Sequence, residues 1–102
     1  MAKLLVLYRT PSDTNAFNDY YFDTHASIAR SIPGLTAYDV SDGPVGVPQG
    51  DSAYHLIATL TFDSMDALQA ALASPEGQRA AADLANFADR GAELLIFNQR
   101  AI

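Results

Sequence analysis

The chain has 102 residues, 49% of them hydrophobic, with a formal net charge of −6. This length and composition predict one domain, residues 1–102, with a packed core, and they exclude wholesale disorder or two independent cores. An acidic chain without a cluster of Lys or Arg repels phosphate, so we expect neither nucleic acid nor an anionic membrane surface as a partner. The absence of cysteine excludes disulfides, thiolate catalysis and Cys-ligated metal centres.

The first predicted element is a strand. Lys3–Arg9 is a continuous apolar run that stops at Thr10-Pro11, which is typical of a strand buried on both faces. The run is too short for a typical signal peptide, and no apolar run is long enough to cross a bilayer. We therefore expect a cytoplasmic protein.

A helix is predicted next, capped by Asp13 or Thr14 and running to about Ser31. Pro33-Gly34 ends it, because proline disfavours helix in the residue before it and glycine is a common terminator. Leu35–Asp42 is then predicted to be the second strand. The apolar stripe of the helix contains Phe17, Tyr21, Thr24, Ile28 and Ile32.

The second half of the chain begins with a predicted loop, Gly43–Ser52, which is rich in Gly and Pro. Ala53–Phe62 alternates as a strand does. A short helix opens after Asp63-Ser64, and Ser74-Pro75-Glu76 is a second helix start with a serine cap and proline in the first turn. Ala92–Asn98 is predicted to be the last strand. The apolar stripe of the second helix contains Ala80, Leu84 and Phe87.

The resulting order, β-α-β-β-α(α)-β, predicts an α+β fold of the ferredoxin-like type, with a four-stranded antiparallel sheet and its helices on one face. Three of the predicted strands carry apolar residues on both faces. A second copy of the chain would cover the face without helices, so we expect a homodimer. The alternative is a monomer with an apolar exposed sheet.

The most concentrated candidate site is on the first helix. Tyr21 and His25 are four residues apart, so their side chains meet on one helix face. A half-buried histidine beside a phenol is a candidate proton shuttle near neutral pH. The alternative is a structural histidine that bonds a loop carbonyl and packs against the sheet.

A second candidate is the pair Tyr54-His55, whose side chains alternate across a strand. If Tyr54 faces the helices, it joins Tyr21 and His25, and His55 faces the dimer sheet. The alternative is a core tyrosine and an interface histidine. Aromatic residues that would line a pocket with this cluster, or belong to the core, are Tyr8, Tyr38, Phe62, Phe87 and Phe97.

No metal or cofactor site is predicted. Asp23 lies two residues before His25 and points away from it on a helix, so the two do not form a metal-ligand pair. There is no Ser-His-Asp order, glycine-rich phosphate loop or dinucleotide fingerprint.

Across nearly its whole length the sequence resembles the EthD family. The segments that carry the resemblance are Lys3–Arg9 followed by Pro11, Phe17-x-x-Tyr20-Tyr21-x-x-x-His25, Ile32–Leu35, Tyr54–Ala58, Phe62–Ser64 and Ala73–Gly77. The histidine of the family pattern corresponds to His25, but Ala26-Ser27 follows it where the family often has Pro and then Leu or Ile.

The resemblance implies a ferredoxin-like fold that pairs into a dimeric α+β barrel. The family is named for a protein needed in bacterial ethyl tert-butyl ether degradation. Relatives with the dimeric barrel include cofactor-free monooxygenases, polyketide cyclases, muconolactone isomerases and fungal dehydratases. In those proteins a pocket between sheet and helices holds a small, often aromatic substrate.

Three hypotheses follow. The first is a cofactor-independent lyase, isomerase or monooxygenase of a catabolic or secondary-metabolite pathway, with His25 as acid or base and Tyr21 orienting it. The second is an accessory protein that sequesters or delivers such a metabolite without converting it. The third is a structural dimer whose aromatic residues are core. In the first, a small hydrophobic or aromatic compound contacts Tyr8, Tyr21, Tyr54, Phe62 and Phe87, whereas the second predicts that no titratable group contacts the ligand.

Overall fold

The apolar runs form strands of one antiparallel sheet in the computed structural model, which describes residues 1–102. The strands are β1 (Ala2–Arg9), β2 (Leu35–Val40), β3 (Gly46–Val47), β4 (Gly50–Asp51), β5 (Tyr54–Phe62) and β6 (Ala92–Asn98). The sheet has four of them, in the order β2-β5-β1-β6. The other two, β3 and β4, form a separate hairpin inside the segment predicted to be a loop, so that prediction is corrected there.

The helices begin at polar caps, as the sequence indicates. The side chain of Asp13 accepts a hydrogen bond from the backbone N–H of Ala16 at 3.0 Å, and Ser64 and Ser74 cap the later helices in the same way. The first predicted helix contains a π-helical turn, and the last helix ends in a 3₁₀ turn. The helical segments are α1 (Thr14–Tyr20), the π turn (Tyr21–His25), α2 (Ala26–Arg30), α3 (Met65–Ala73), α4 (Pro75–Asp83) and the 3₁₀ turn (Leu84–Asn86).

The core lies between one face of the sheet and the helices. Alternate residues of β1 and β5, such as Leu4 and Leu60, are buried against the helices, while Leu5 and Ile57 on the other face are half-buried. The α+β ferredoxin-like fold with helices on one face is therefore confirmed. No helix combines the length and the apolar character needed to cross a membrane.

A β-bulge inverts the side-chain alternation at the start of β5. Tyr8 pairs with Leu56, but the next residue, Arg9, pairs with Tyr54, so His55 is an extra residue in the ladder. As a result, the Tyr54 hydroxyl donates to Oε2 of Glu93 (3.0 Å) on the face without helices. The expectation that Tyr54 faces the helices is therefore wrong.

The bulge also places His55 on the helix side of the sheet. Its Nε2 lies 2.8 Å from Oδ1 of Asn18, and its ring packs edge-on against Phe17 at 5.0 Å between centroids. The expectation that His55 faces a dimer sheet is wrong for the same reason: one inserted residue shifts every preceding side chain to the opposite face.

The edge strand β6 is exposed on both faces. Leu94 and Ile96 point to the helix side and are 48% and 45% exposed, because the helices do not extend over this edge. Leu95 and Phe97 point to the other side and are 50% and 41% exposed. The interpretation of Phe97 as a pocket residue is corrected by this position.

Candidate functional site

A small apolar cavity lies between the sheet and helices α2 and α4. Its free volume is about 50 Å³, and fourteen of the sixteen lining residues are hydrophobic. Its lining includes His25, three tyrosines and, on the exposed edge strand, the half-exposed Leu94. The tyrosines are Tyr8, Tyr21 and Tyr38.

The π-helical turn brings both Tyr21 and His25 into this region. The backbone N–H of Ala26 donates to the carbonyl of Tyr21, five residues earlier, which widens the turn by one residue. Tyr21 and His25 are 1% and 4% exposed, and their ring centroids are 5.2 Å apart. The two side chains therefore meet as the helical spacing predicts.

His25 is held by a carboxylate. Its Nδ1 lies 2.8 Å from Oδ2 of Asp83, the last residue of α4, which is itself 7% exposed. The alternative in which His25 bonds a loop carbonyl is contradicted by this contact. An acid that holds one imidazole nitrogen fixes the ring and leaves the other nitrogen available, as in general acid–base sites.

Asp83 was not among the candidate residues from the sequence. Helical spacing indicates acidic partners only on the histidine's own helix, whereas Asp83 lies on α4. A signal did exist: Asp83 lies three residues after Ala80 and four before Phe87, within the predicted apolar stripe. A carboxylate on a buried helix face needs hydrogen-bonding or charged partners, and that requirement predicts a cluster of polar side chains around it.

Asp83 is ionised in this environment. Burial raises the pKa of its carboxyl group, but hydrogen bonds from Tyr20, Asn86 and His25 outweigh burial and hold the pKa below its ordinary value. The Tyr20 hydroxyl donates to Oδ1 at 2.6 Å, and Nδ2 of Asn86 donates to the same oxygen at 2.9 Å.

His25 is a neutral base near pH 7. Burial lowers the pKa of its imidazole below the ordinary value, although the bond to Asp83 opposes this. The ionised carboxylate accepts a proton from Nδ1, so the lone pair is on Nε2. Nε2 has no hydrogen-bond partner and is not fully buried, and His25 is one of the residues that line the cavity.

Three phenols surround the same space. The hydroxyls of Tyr21 and Tyr38 are 2.5 Å apart, and burial raises the pKa of both and of Tyr8. These groups stay protonated near neutral pH, so they can donate hydrogen bonds but cannot act as bases.

The remaining predicted residues lie in different places. Phe87 packs behind the cavity, with its ring 4.7 Å from that of His25 and 5.5 Å from that of Tyr8. Phe62 is fully buried in the core and does not line the cavity, and Tyr54 lies on the opposite face of the sheet. No cluster of three or more acidic or histidine side chains has the arrangement of a metal site.

Comparison with known proteins gives one family. The family model described as EthD domain matches residues 9–91. An uncharacterized 11.0 kDa protein from the thcB–thcC intergenic region of Rhodococcus erythropolis is 36% identical over 104 residues, covering 100% of this chain and 98% of that protein.

Solved structures agree with this match. An EthD family protein from Bacillus halodurans is 37% identical with a TM-score of 0.90, covering 98% of this chain and 99% of the other. A dimeric ferredoxin-like protein of unknown function from Jannaschia sp. is 21% identical with a TM-score of 0.72, covering 96% and 98%. The second of these shows similarity of fold alone.

Proposed function

This chain belongs to the EthD family, and from that premise we propose that it binds a small apolar or aromatic metabolite and moves a proton on it without a cofactor. One observation carries the proposal: a buried histidine that lines an apolar cavity is bonded to Asp83 through Nδ1, which leaves its Nε2 unpaired. Such a pair is suited to general base chemistry near neutral pH.

The proposed step is proton abstraction beside a carbonyl group. A C–H bond of the ligand breaks, its proton goes to Nε2 of His25, and the electron pair stays on the ligand as an enolate. The new imidazolium is stabilised by the Asp83 carboxylate 2.8 Å from Nδ1. Return of the proton to another carbon gives an isomer, and loss of a leaving group gives a lyase product.

The tyrosines supply the complementary group. A protonated phenol on the cavity wall, from Tyr8 or Tyr21, can donate a hydrogen bond to the oxygen on which charge develops. Since burial keeps both hydroxyls protonated, neither competes with His25 as a base.

Ligand binding must enlarge the cavity, because about 50 Å³ is far below the few hundred Å³ of an ordinary ligand site. Leu94 is the lining residue that can give way, since it is half exposed on the edge strand and has few neighbours to resist its displacement. We propose that ligand enters beside it.

We also propose that the chain works as a homodimer that pairs through the sheet face opposite the helices. Leu5, Leu7 and Ile57 form an apolar centre on that face, continued on β6 by Leu95 and Phe97. The dimeric ferredoxin-like protein from Jannaschia sp. supports the proposal by fold. A charge at the centre of this face, Leu5→Glu, should halve the mass measured by light scattering; a wild-type monomer would refute the dimer.

Proton transfer is tested with small aromatic ketones and aldehydes, beginning with phenylacetone. Exchange of their α-hydrogens in D₂O is followed by ¹H NMR, and binding is followed through the amide signals around His25. We expect wild-type protein to accelerate exchange and His25→Gln to abolish the acceleration. The control is His55→Gln, which removes a histidine that bonds Asn18 outside the cavity.

Binding without faster exchange would refute proton transfer and favour the accessory role, in which the protein sequesters or delivers its ligand. Absence of both binding and exchange across the panel would leave His25 as a structural residue and refute both functions.

A further inference from the structure

We infer that Tyr20 and Asn86 are positioning residues that hold the Asp83 carboxylate ionised and aimed at His25, so that the imidazole keeps its proton on Nδ1. This inference deepens the proposed function and rests on it for its catalytic consequence. Its structural content, the state of the Asp83–His25 pair, can be measured without any ligand.

The carboxylate of Asp83 accepts hydrogen bonds from three side chains, two on one oxygen and one on the other. Tyr20 at the end of α1 and Asn86 in the 3₁₀ turn both bond Oδ1, at 2.6 and 2.9 Å. Oδ2 is thereby left to Nδ1 of His25 at 2.8 Å. With three bonds from three segments of the chain, the carboxylate cannot rotate without losing partners.

Such support is needed because Asp83 is buried. A buried carboxyl group favours its protonated form, and a protonated Asp83 could donate to Nδ1. The imidazole proton would then sit on Nε2, and that nitrogen would no longer be basic. Two donors on Oδ1 oppose this by stabilising the charged form of Asp83.

The surroundings of Asp83 contain few other charges. The titratable groups that act on the pair are Tyr20 from α1 and Tyr8 from β1, and burial raises the pKa of Tyr8. The Asp83 bond raises the pKa of Tyr20, which remains the donor. The ionisation of Asp83 is therefore set by burial, which raises its pKa, and by three hydrogen-bond partners, which together lower it by more.

Tyr20 and Asn86 do not line the apolar cavity. They lie instead on an open cleft of about 270 Å³ on the outer side, together with Ser12, Asp13 and Asp89. A ligand beside Nε2 would not touch them, so an effect of their removal on proton transfer must pass through Asp83.

The experiment compares Tyr20→Phe, Asn86→Ala and the double variant with wild type. Phenylalanine keeps the ring that stacks on Phe87 at 5.4 Å and removes only the hydroxyl. ¹³C and ¹⁵N NMR of the ligand-free protein report the Asp83 titration and the His25 tautomer. The control is Tyr54→Phe, which removes a phenol–carboxylate bond on the other face of the sheet.

We expect each variant to move the Asp83 titration upward by about one unit, the shift that loss of one hydrogen bond to a charged group implies. The double variant should move it further and extend to higher pH the range in which the Nε2–H tautomer is populated. In the exchange assay we expect the pH below which kcat falls to move upward in the same order, with KM unchanged.

An unchanged Asp83 titration and tautomer in the folded double variant would overturn the inference. If the NMR changes occur as expected while wild-type protein exchanges no probe, the inference stands and only the proposed function fails. The two failures are therefore distinguishable.

Discussion

Oδ2 of Asp83 lies 2.8 Å from Nδ1 of His25, although 58 residues separate the two in sequence. Both side chains are more than nine-tenths buried, one at the end of α4 and the other in the π-helical turn. The contact exists because α2, which directly follows the π turn, packs beside α4. The contact orients the imidazole and keeps its proton on Nδ1.

Replacement of Asp83 by asparagine should reduce catalysed α-hydrogen exchange by about 10²-fold or more. The amide keeps the size of the side chain but can donate to Nδ1, which puts the imidazole proton on the wrong nitrogen. Exchange rates measured by ¹H NMR test this. Asp89→Asn is the control, since Asp89 bonds Ser12 at the surface. An Asp83→Asn protein that retains full exchange would contradict the role of the pair.

The free energy of unfolding should decrease as the pH is lowered below about 6.5, the ordinary pKa of histidine. The folded pKa of His25 is lower than that, so the unfolded chain binds a proton that the folded protein refuses. The lowered pKa of Asp83 also decreases the free energy of unfolding as the pH falls below 3.8, the ordinary pKa of its carboxyl group. The stabilisation that these two groups contribute is thus present at neutral pH. For each group it is lost as the pH falls from the ordinary pKa to the lower pKa of the folded protein.

Urea unfolding at pH 8, 7, 6 and 5 measures this dependence. His25→Gln should flatten the part of the curve near pH 6, since glutamine does not titrate. A steeper or unchanged slope in that variant would contradict the lowered pKa of His25.

Gly77→Ala should destabilise the protein by about 1–3 kcal/mol. A Cβ at this position would lie 2.1 Å from the carbonyl oxygen of Ala71, so the backbone of α3 or α4 must shift. Thermal and urea unfolding measure the loss. Arg79→Ala in the exposed part of α4 is the matched control and should change stability by less than about 0.5 kcal/mol. A Gly77→Ala protein as stable as wild type would contradict this prediction and show that α3 and α4 can move apart without loss of stability.

Ser74→Ala should cost about 1–2 kcal/mol, more than the same change at Ser64. The Ser74 hydroxyl donates to the carbonyl of Ala71 at 2.5 Å and accepts from the N–H of Gly77 at 3.0 Å, so it serves the end of α3 and the start of α4 together. Ser64 caps only the start of α3. Urea unfolding of both variants tests the difference, and a larger loss at Ser64 would contradict it.

Several features could be predicted because they depend on neighbouring residues. Strand and helix order follows from hydrophobic periodicity and from caps such as Ser64 and Ser74, which act within a few residues. The approach of Tyr21 and His25 follows from helical spacing on one segment. The resemblance to the EthD family gave the fold independently, and the family match confirms it.

The β-bulge at Tyr54 shows how a local pattern can mislead. The residues of β5 alternate as an ideal strand does, but the pairing with β1 accommodates one extra residue opposite Arg9. Nothing in the alternation marks that insertion, because it is a property of the pair of strands. The faces of Tyr54 and His55 were therefore undetermined by the sequence.

The sequence by itself determined the elements, their order and the position of His25 on a buried helix face. Only the tertiary structure decided that Asp83 would hold His25, that Tyr54 would turn away, and that the cavity would be small. The physical reason is one of range: caps and periodicity act along a few residues of backbone, whereas these contacts depend on how helices and strands distant in sequence pack against one another.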